Sequence, residues 1–445
     1  MILIADYGAH TVKTGKLSAA GSIVLGGGRI TKATKTAAAN ALSAPELLEI
    51  PSCGLHPPHD PWLGRSPAQS TIEPRTTAVD TDAMCRVLQR GAAASAPSSQ
   101  QAPPIHCGVL LLPTWFPLGD MERLVHMAFE ELRWQRLHIA FSSPHALYAT
   151  GATSGIVIDV GHEEVRALPV VECRPRLGAA LFTSVAAGHA QSYVAAQLCT
   201  AAETADSARS SRAPDNVVVS GDDEAPPPRA LLPFDDAIHD WKASLSTASR
   251  RSGPSTAVLP DGSTITLPPA ESGREWMSQT LLQPASLVQR LDGAARLCPL
   301  FDLRTALSVP DLILRTTREA ALSIPAACRW VVVCGGASLT PGVDEAIRSM
   351  FPCPVQRAAA TTVAGEHPIS VGGNQQAAGR CGLSPFPGTS TTPALRPVRD
   401  RQYAQWVGAS ILTRLSSFTA TACVSAAQYG EHGPHRVALR FLADQ

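Results

Sequence analysis

The sequence predicts two packed domains, or one large α/β unit with insertions, and it carries an internal repeat. Three observations carry that reading. An apolar strand ending in an acid and followed by x-Gly occurs twice, as Ile2-Leu3-Ile4-Ala5-Asp6-Tyr7-Gly8 and as Ile156-Val157-Ile158-Asp159-Val160-Gly161. A third apolar strand, Val331 to Cys334, runs into Gly335-Gly336. Amphipathic helical periodicity occurs between strands, most clearly over Asp120 to Trp134. Repetition of one strand–acid–turn layout is more informative than either copy alone.

The elements follow in order. Met1 to Asp6 reads as a strand, with a tight turn at Gly8 and a returning strand through Gly15. Residues 31–70 are weakly patterned, with Pro51, Pro57, Pro58, Pro61 and Pro67, and are expected to form a divergent subdomain. Asp80 to Arg90 reads as a helix with Met84, Val87 and Leu88 on one face. Ala92 to Pro104 is an Ala/Ser/Pro/Gln-rich loop, and Cys107 to Leu112 a strand. Asp120 to Trp134 is the best amphipathic helix, with Met121, Leu124, Val125, Ala128, Phe129 and Leu132 as its apolar stripe and Asp120 as its cap. A short helix ends at Leu147 to Thr150, before the strand Gly155 to Asp159. Residues 200–232, with Pro226-Pro227-Pro228, read as a disordered insertion. Residues 357–398 read as a second loose stretch, and Tyr403 to Leu415 as a closing helix.

Composition narrows the function. A chain of 445 residues exceeds one small core. Lys plus Arg and Asp plus Glu are both 37, a balance that argues against nucleic-acid binding by bulk charge. The 11 cysteines include no CxxC pair, which excludes the usual zinc ribbons and thioredoxin motifs. Their scatter reads as reduced thiols in a cytosolic or nuclear protein. Asp6 interrupts the apolar start, so no signal peptide is expected. The longest apolar stretch, Val109 to Leu118, is broken by Pro113 and Pro117, so no membrane span is expected. The tryptophans are dispersed and read as core or interface anchors, not as a base-stacking platform.

The chemistry concentrates at the three glycine turns. Small residues let backbone N–H groups approach and cradle phosphates. Asp6 and Asp159, at the strand ends, are placed to hold the waters of a hydrated Mg²⁺, and Lys13 to reach a phosphate. Taken singly, each turn is an ordinary glycine turn, with Asp6 a turn acid and Lys13 a surface lysine. His162, Glu163 and Glu164 read as a solvated turn, since nothing else supplies metal-ligand spacing.

Taken in order, the motifs resemble the actin family. Asp6-Tyr7-Gly8-Ala9-His10-Thr11-Val12-Lys13-Thr14-Gly15 is similar to the first phosphate loop, and Thr153 to Gly161 to the second. Val258-Leu259-Pro260-Asp261-Gly262 resembles the LPDG hairpin, and Leu282-Gln283-Pro284 the FQP element after it. Cys334-Gly335-Gly336-Ala337-Ser338-Leu339-Thr340-Pro341-Gly342 is similar to the adenine-side turn. Tyr403-Ala404-Gln405-Trp406-Val407-Gly408-Ala409-Ser410-Ile411-Leu412, then Gln428-Tyr429, resembles the C-terminal segment. Residues 16–70 have no match.

The resemblance implies an actin-like (ribonuclease-H-like) duplicated fold with a nucleotide cleft between its halves. The first half would comprise 1–150 and 399–445, the second 151–398. Implied nucleotide contacts are Asp6, Gly8, Lys13, Asp159, Gly161, Lys242, Gly335 and Gly336, with Asp6 and Asp159 at the metal. The implied ligand is ATP or ADP with Mg.

Departures from the family pattern point away from hydrolysis. The first loop carries Ala9 and His10 in place of Ser and Gly, and the second reads Gly161-His162-Glu163. In the family's register the two water-positioning residues fall at Ser142 and Arg166, and Ala337 replaces a Thr. Hydrolysis depends on a positioned water, so the expectation is a pseudo-ATPase with a structural nucleotide. Phe129-Glu130-Glu131-Leu132-Arg133-Trp134-Gln135 is similar to a nuclear branch of the family, implying a non-polymerising scaffold gripping a remodeller ATPase helix in a chromatin-remodelling complex. Asp159-x-Gly161-x-x-Glu164 and Trp406-Val407-Gly408-Ala409 resemble a cytoplasmic branch, implying a dynactin-type filament cap. A filament-forming ATPase ranks last. The expected locations are nucleus or cytoplasm, without membrane or direct nucleic-acid contact.

Overall fold

The computed structural model describes residues 2–8, 11–17, 48–51, 81–93, 105–162, 164–183, 185–188, 190, 255–258, 264–267, 270–284, 307–327, 329–340, 342–351 and 393–443. Residues 200–232, most of 31–70 and 357–392 lie outside the described residues.

The strands are β1 (Ile2–Tyr7), β2 (Thr11–Leu17), β3 (Leu48–Pro51), β4 (Cys107–Leu112), β5 (Arg136–Phe141), β6 (Gly155–Val160), β7 (Val165–Val171), β8 (Arg174–Pro175), β9 (Leu181–Thr183), β10 (Ser255–Val258), β11 (Thr264–Leu267), β12 (Trp330–Cys334), β13 (Ala394–Leu395) and β14 (Val424–Ser425). The helices are α1 (Thr81–Ala93), α2 (Leu118–His126), α3 (Ser142–Tyr148), α4 (Ala270–Leu282), α5 (Val309–Ser323), α6 (Val343–Met350), α7 (Ala404–Leu412), α8 (Phe418–Thr421) and α9 (Ala426–Ala443).

Two sheets share one topology. In the first, β1 is antiparallel to β2 and β2 to β3, while β1 is parallel to β4 and β4 to β5. In the second, β6 is antiparallel to β7, and β7 to β8 and β9, while β6 is parallel to β12 and β12 to β13. The β14 strand adds to the edge of the first sheet beside β5. The repeat legible in two turns therefore extends through whole sheets. The strands β1, β4, β6 and β12 read as nearly continuous apolar runs because helices cover both faces.

Four apolar clusters fill the four sheet faces. One face of the first sheet packs on α1, α2 and α9, with Met84, Leu124 and Phe441 fully buried. Its other face takes Trp406, Ala409 and Phe418 from α7 and α8. The second sheet packs Leu312 and Ile313 of α5 and Ile347 of α6 on one face. Its other face takes Ala146 and Leu147 of α3 and Ala404 of α7. The pair α3–α7 therefore lies between the sheets. The two helices cross so closely that a Cβ at Gly408 would stand 1.7 Å from the His145 carbonyl oxygen.

Three expectations need correction. The helix read from Asp120 starts at Leu118, after Pro117, and Asp120 makes no cap; it lies in the first turn, 3.7 Å from Arg123. That helix does not run on as α-helix to Trp134. It widens into a π-turn over Met127–Glu131, and Arg133 takes φ 55°. The wide turn stacks Phe129 on Tyr429 at 4.7 Å and tucks Trp134 onto Gly108, where any Cβ would collide with the indole. The stretch 357–398, read as loose, contains β13, whose Ala394 and Leu395 continue the second sheet beside Trp330 and Val331.

Candidate functional site

The two strand–acid–turn hairpins superpose in register. Asp6 faces Lys13 across β1–β2, and Asp159 faces Arg166 across β6–β7, at the same sequence separation. Each hairpin thus presents an acid and, opposite it, a base. On its parallel side Asp6 pairs with Leu111, and Asp159 pairs with Cys334.

The structure brings these groups together. Lys13 Nζ lies 3.6 Å from Asp6 Oδ2, with both side chains nearly buried. Burial pushes the Asp6 carboxyl above the ordinary carboxylate range, Lys13 pulls it back, and the neighbouring Asp159 adds to the rise. Burial also pushes Asp159 up; Lys13 opposes this, Glu164 adds to it, and Arg166 and a hydrogen bond from Ser143 oppose it. Asp6, Lys13 and Asp159 are one electrostatic cluster joining the two sheets.

Asp159 is held by donors from three elements. Gln405 Nε2 of α7 donates to Oδ2 at 2.8 Å, and Ser143 Oγ of α3 donates to the same oxygen at 3.4 Å. The Gln405 amide also lies 3.6 Å from Cys334 Sγ. Burial and the two acids hold the Cys334 thiol far above its ordinary range, so it stays protonated. The other oxygen, Oδ1, lies beside Gly335: a Cβ there would come within 2.7 Å of it and within 2.3 Å of the Val160 carbonyl, in a backbone with φ 90°. Only glycine satisfies that turn.

The remaining predicted residues are placed as follows. Gly161 closes the second turn, its N–H donating to the Glu164 carbonyl at 3.0 Å, and a Cβ would meet that oxygen at 2.8 Å. Gly188 donates to the His162 carbonyl at 2.7 Å and covers the turn. Gly8 follows β1 at the corresponding position, half-buried. Gly336 begins a short 3-10 turn and has open space where a Cβ would be. Lys242, Ala9, His10 and Glu163 lie outside the described residues. Ser142 is buried at the start of α3. Arg166 is tied to Glu164 at 2.7 Å.

Gln405, Ser143 and Cys334 escape motif reading as members of the site. One signal marks Gln405: a lone amide in the otherwise small and apolar run Ala404–Leu412.

These residues fit a cation. Asp6 Oδ2 is buried with no hydrogen bond beyond its 3.6 Å ion pair with Lys13, and burial pushes both carboxyls above the ordinary range, so a second positive charge would be compensated there. Among the described residues no group of three or more His, Cys, Asp and Glu converges for direct ligation. A hydrated Mg²⁺, met through its waters by Asp6 and Asp159, is the form that fits. Bound there, it would neutralise the carboxylates and the phosphates of a nucleotide together.

Two sheets of shared topology, with Asp6, Lys13 and Asp159 clustered at their strand ends beside glycine turns, define the actin-like class of α/β fold. The family model described as Actin matches residues 69–221 and 235–442, and the chain belongs to the actin family. Human Actin-like protein 9 is 24% identical over 334 residues, covering 73% of this chain and 63% of that protein. Bovine Actin-like protein 7A is 34% identical over 74 residues, 17% of each chain. The match to human Actin-like protein 9 thus spans less than two thirds of that relative's length. The actin fold generally binds nucleotide with Mg. The family match begins at residue 69, after the first hairpin, so Asp6 and Lys13 join the site through topology and register. Among the described residues, no helix is long and apolar enough to cross a membrane.

Proposed function

We propose that this chain is a non-polymerising actin-related scaffold whose cleft binds ATP or ADP with Mg as a structural ligand and hydrolyses it poorly or not at all. One observation carries the reading. The two positions that the family register assigns to water positioning hold a buried Ser142 and an Arg166 engaged by Glu164 at 2.7 Å. Phosphoryl transfer to water is a matter of positioning and electrostatics, and a site lacking the positioning groups loses orders of magnitude in rate. Ligand binding needs less. Asp6, Lys13, Asp159 and the glycine turns supply the cation site and the close backbone approach. A ligand joining both hairpins would clamp the two sheets by mass action.

As its setting we infer a nuclear chromatin-remodelling complex, where an actin fold grips a helix of the remodeller ATPase. The support is the segment Phe129–Gln135, whose Phe129 and Trp134 anchor the π-turn. A cytoplasmic, dynactin-type cap is the second reading, favoured by Trp406-Val407-Gly408-Ala409 at the α3–α7 crossing.

Affinity purification of the tagged chain from its own cells at low salt separates these. Recovery of a remodeller-type ATPase with histones is the expected outcome. Recovery of dynactin subunits instead replaces the nuclear setting with the cap. Sedimentation of the pure chain as filaments would remove both.

A further inference from the structure

Outside the cleft, the first half holds a pair of cysteines that its fold brings together from opposite ends of the chain. Cys107 and Cys423 are 316 residues apart in sequence, yet their sulfurs lie 3.8 Å apart, both nearly buried. Cys107 opens β4, directly across from Arg136 on β5. Cys423 lies between α8 and β14, and the Arg136 guanidinium reaches the Thr419 carbonyl in the same segment. Both cysteines are buried in the apolar cluster on one face of the first sheet, and the exposed His106 and Thr421 lie one and two residues from them.

We infer that Cys107 and Cys423 are a redox modification site, forming a reversible disulfide when the protein meets a peroxide. Position supports the chemistry. The two thiols meet in one S–H···S contact in which either sulfur can donate, and the Arg136 guanidinium favours the thiolate of each. Either sulfur can attack first and the other then resolves it; the step is written with Cys423 as the attacking thiolate. The Cys423 thiolate attacks one oxygen of hydrogen peroxide; the O–O bond breaks, and hydroxide leaves as water after taking a proton. Cys107 sulfur then attacks Cys423 Sγ, forming the S–S bond and expelling the sulfenic oxygen as a second water. Two thiols lose two electrons and two protons, and one peroxide becomes two waters. The bridge ties the segment leading to α9 onto β4. It closes a loop that encloses the entire second sheet.

The test is peptide mapping of the full-length protein under non-reducing conditions. Reduced protein is treated with a stoichiometric excess of hydrogen peroxide, alkylated with N-ethylmaleimide and digested. The expected product is a cross-linked peptide pair containing Cys107 and Cys423, lighter by two hydrogens than the separate peptides and released by dithiothreitol. Exposed Cys173 reports that the dose was sufficient. In Cys107→Ser, Cys423 is expected to advance to sulfinic acid, because nothing resolves its sulfenic form. The inference is overturned if both cysteines are recovered singly alkylated at a dose that oxidises Cys173. It is equally overturned if wild-type Cys423 accumulates as sulfinic acid without the bridge.

Discussion

Lys13→Met is expected to destabilise the protein by about 3 kcal/mol at neutral pH, because removing one partner of a buried ion pair leaves the other uncompensated. Lys13 is the shared countercharge of Asp6 and Asp159. Without it, two carboxylates from opposite sheets face each other in a buried space. The pH dependence has a definite sign. Both acids already have folded pKa values above the ordinary carboxylate range. Such a group binds its proton more tightly in the fold than in the unfolded chain, so its stability contribution is full below the unfolded value and is lost as pH rises through the folded one. Loss of Lys13 raises the folded values further. The deficit of Lys13→Met relative to wild type should therefore shrink as pH falls toward about 4. Adding Asp6→Asn should recover most of it at neutral pH. Urea unfolding of the four members of this cycle, across pH, decides the matter. A deficit that is constant with pH and indifferent to Asp6→Asn would mean that Lys13 serves by packing its hydrocarbon stem.

Gly408→Ala is expected to cost about 3 kcal/mol or more, in the range reserved for overpacking that only backbone movement can relieve. The obstacle is the His145 carbonyl oxygen, 1.7 Å from the position of the new methyl, and the carbonyl carbon at 2.6 Å. Neither belongs to a flexible side chain, so α3 and α7 must separate. That separation also pulls Gln405, one turn earlier on α7, away from Asp159. The variant should therefore weaken cleft binding as well as stability, although Gly408 makes no cleft contact of its own. Gly119→Ala, with nothing within 4 Å of the new methyl, is the matched control. It should be neutral or stabilise by up to about 1 kcal/mol through helix propensity. Thermal unfolding of the two variants side by side checks the contrast, and equal stabilities would show that the helix crossing is softer than its geometry implies.

The legible part of this protein was local. Two hairpins are legible because an apolar run, an acid and a glycine lie within a few residues of one another, and their repetition agrees with the duplicated halves that the family resemblance implies. Asp6, Lys13 and Asp159 followed from that pattern, and the structure joins them. What stayed hidden depends on distant partners. The bond from Gln405 to Asp159 links residues 246 apart, and a glutamine in an apolar helix does not announce its acceptor. The π-turn at Met127–Glu131 stays hidden because its apolar spacing suits plain helix as well; in the fold it comes with Phe129 stacked on Tyr429 and Trp134 packed on Gly108, both distant in sequence. Strand β13 is two residues long, too short for any periodicity to mark it within a Pro- and Thr-rich stretch.

The central claim is that the cleft holds a nucleotide it does not turn over. The most direct measurement is the chemical fate of bound ATP. Purified protein loaded with γ-labelled ATP and Mg²⁺, freed of excess nucleotide and incubated for hours, is quenched and its nucleotide separated by chromatography. Stoichiometric nucleotide should be recovered as intact ATP, and the bound fraction should fall when Mg²⁺ is chelated or Asp6→Asn is introduced. Recovery of ADP with release of labelled phosphate, at a rate matching filament-forming actins, would contradict it and return Ser142 and Arg166 to the status of working catalytic replacements.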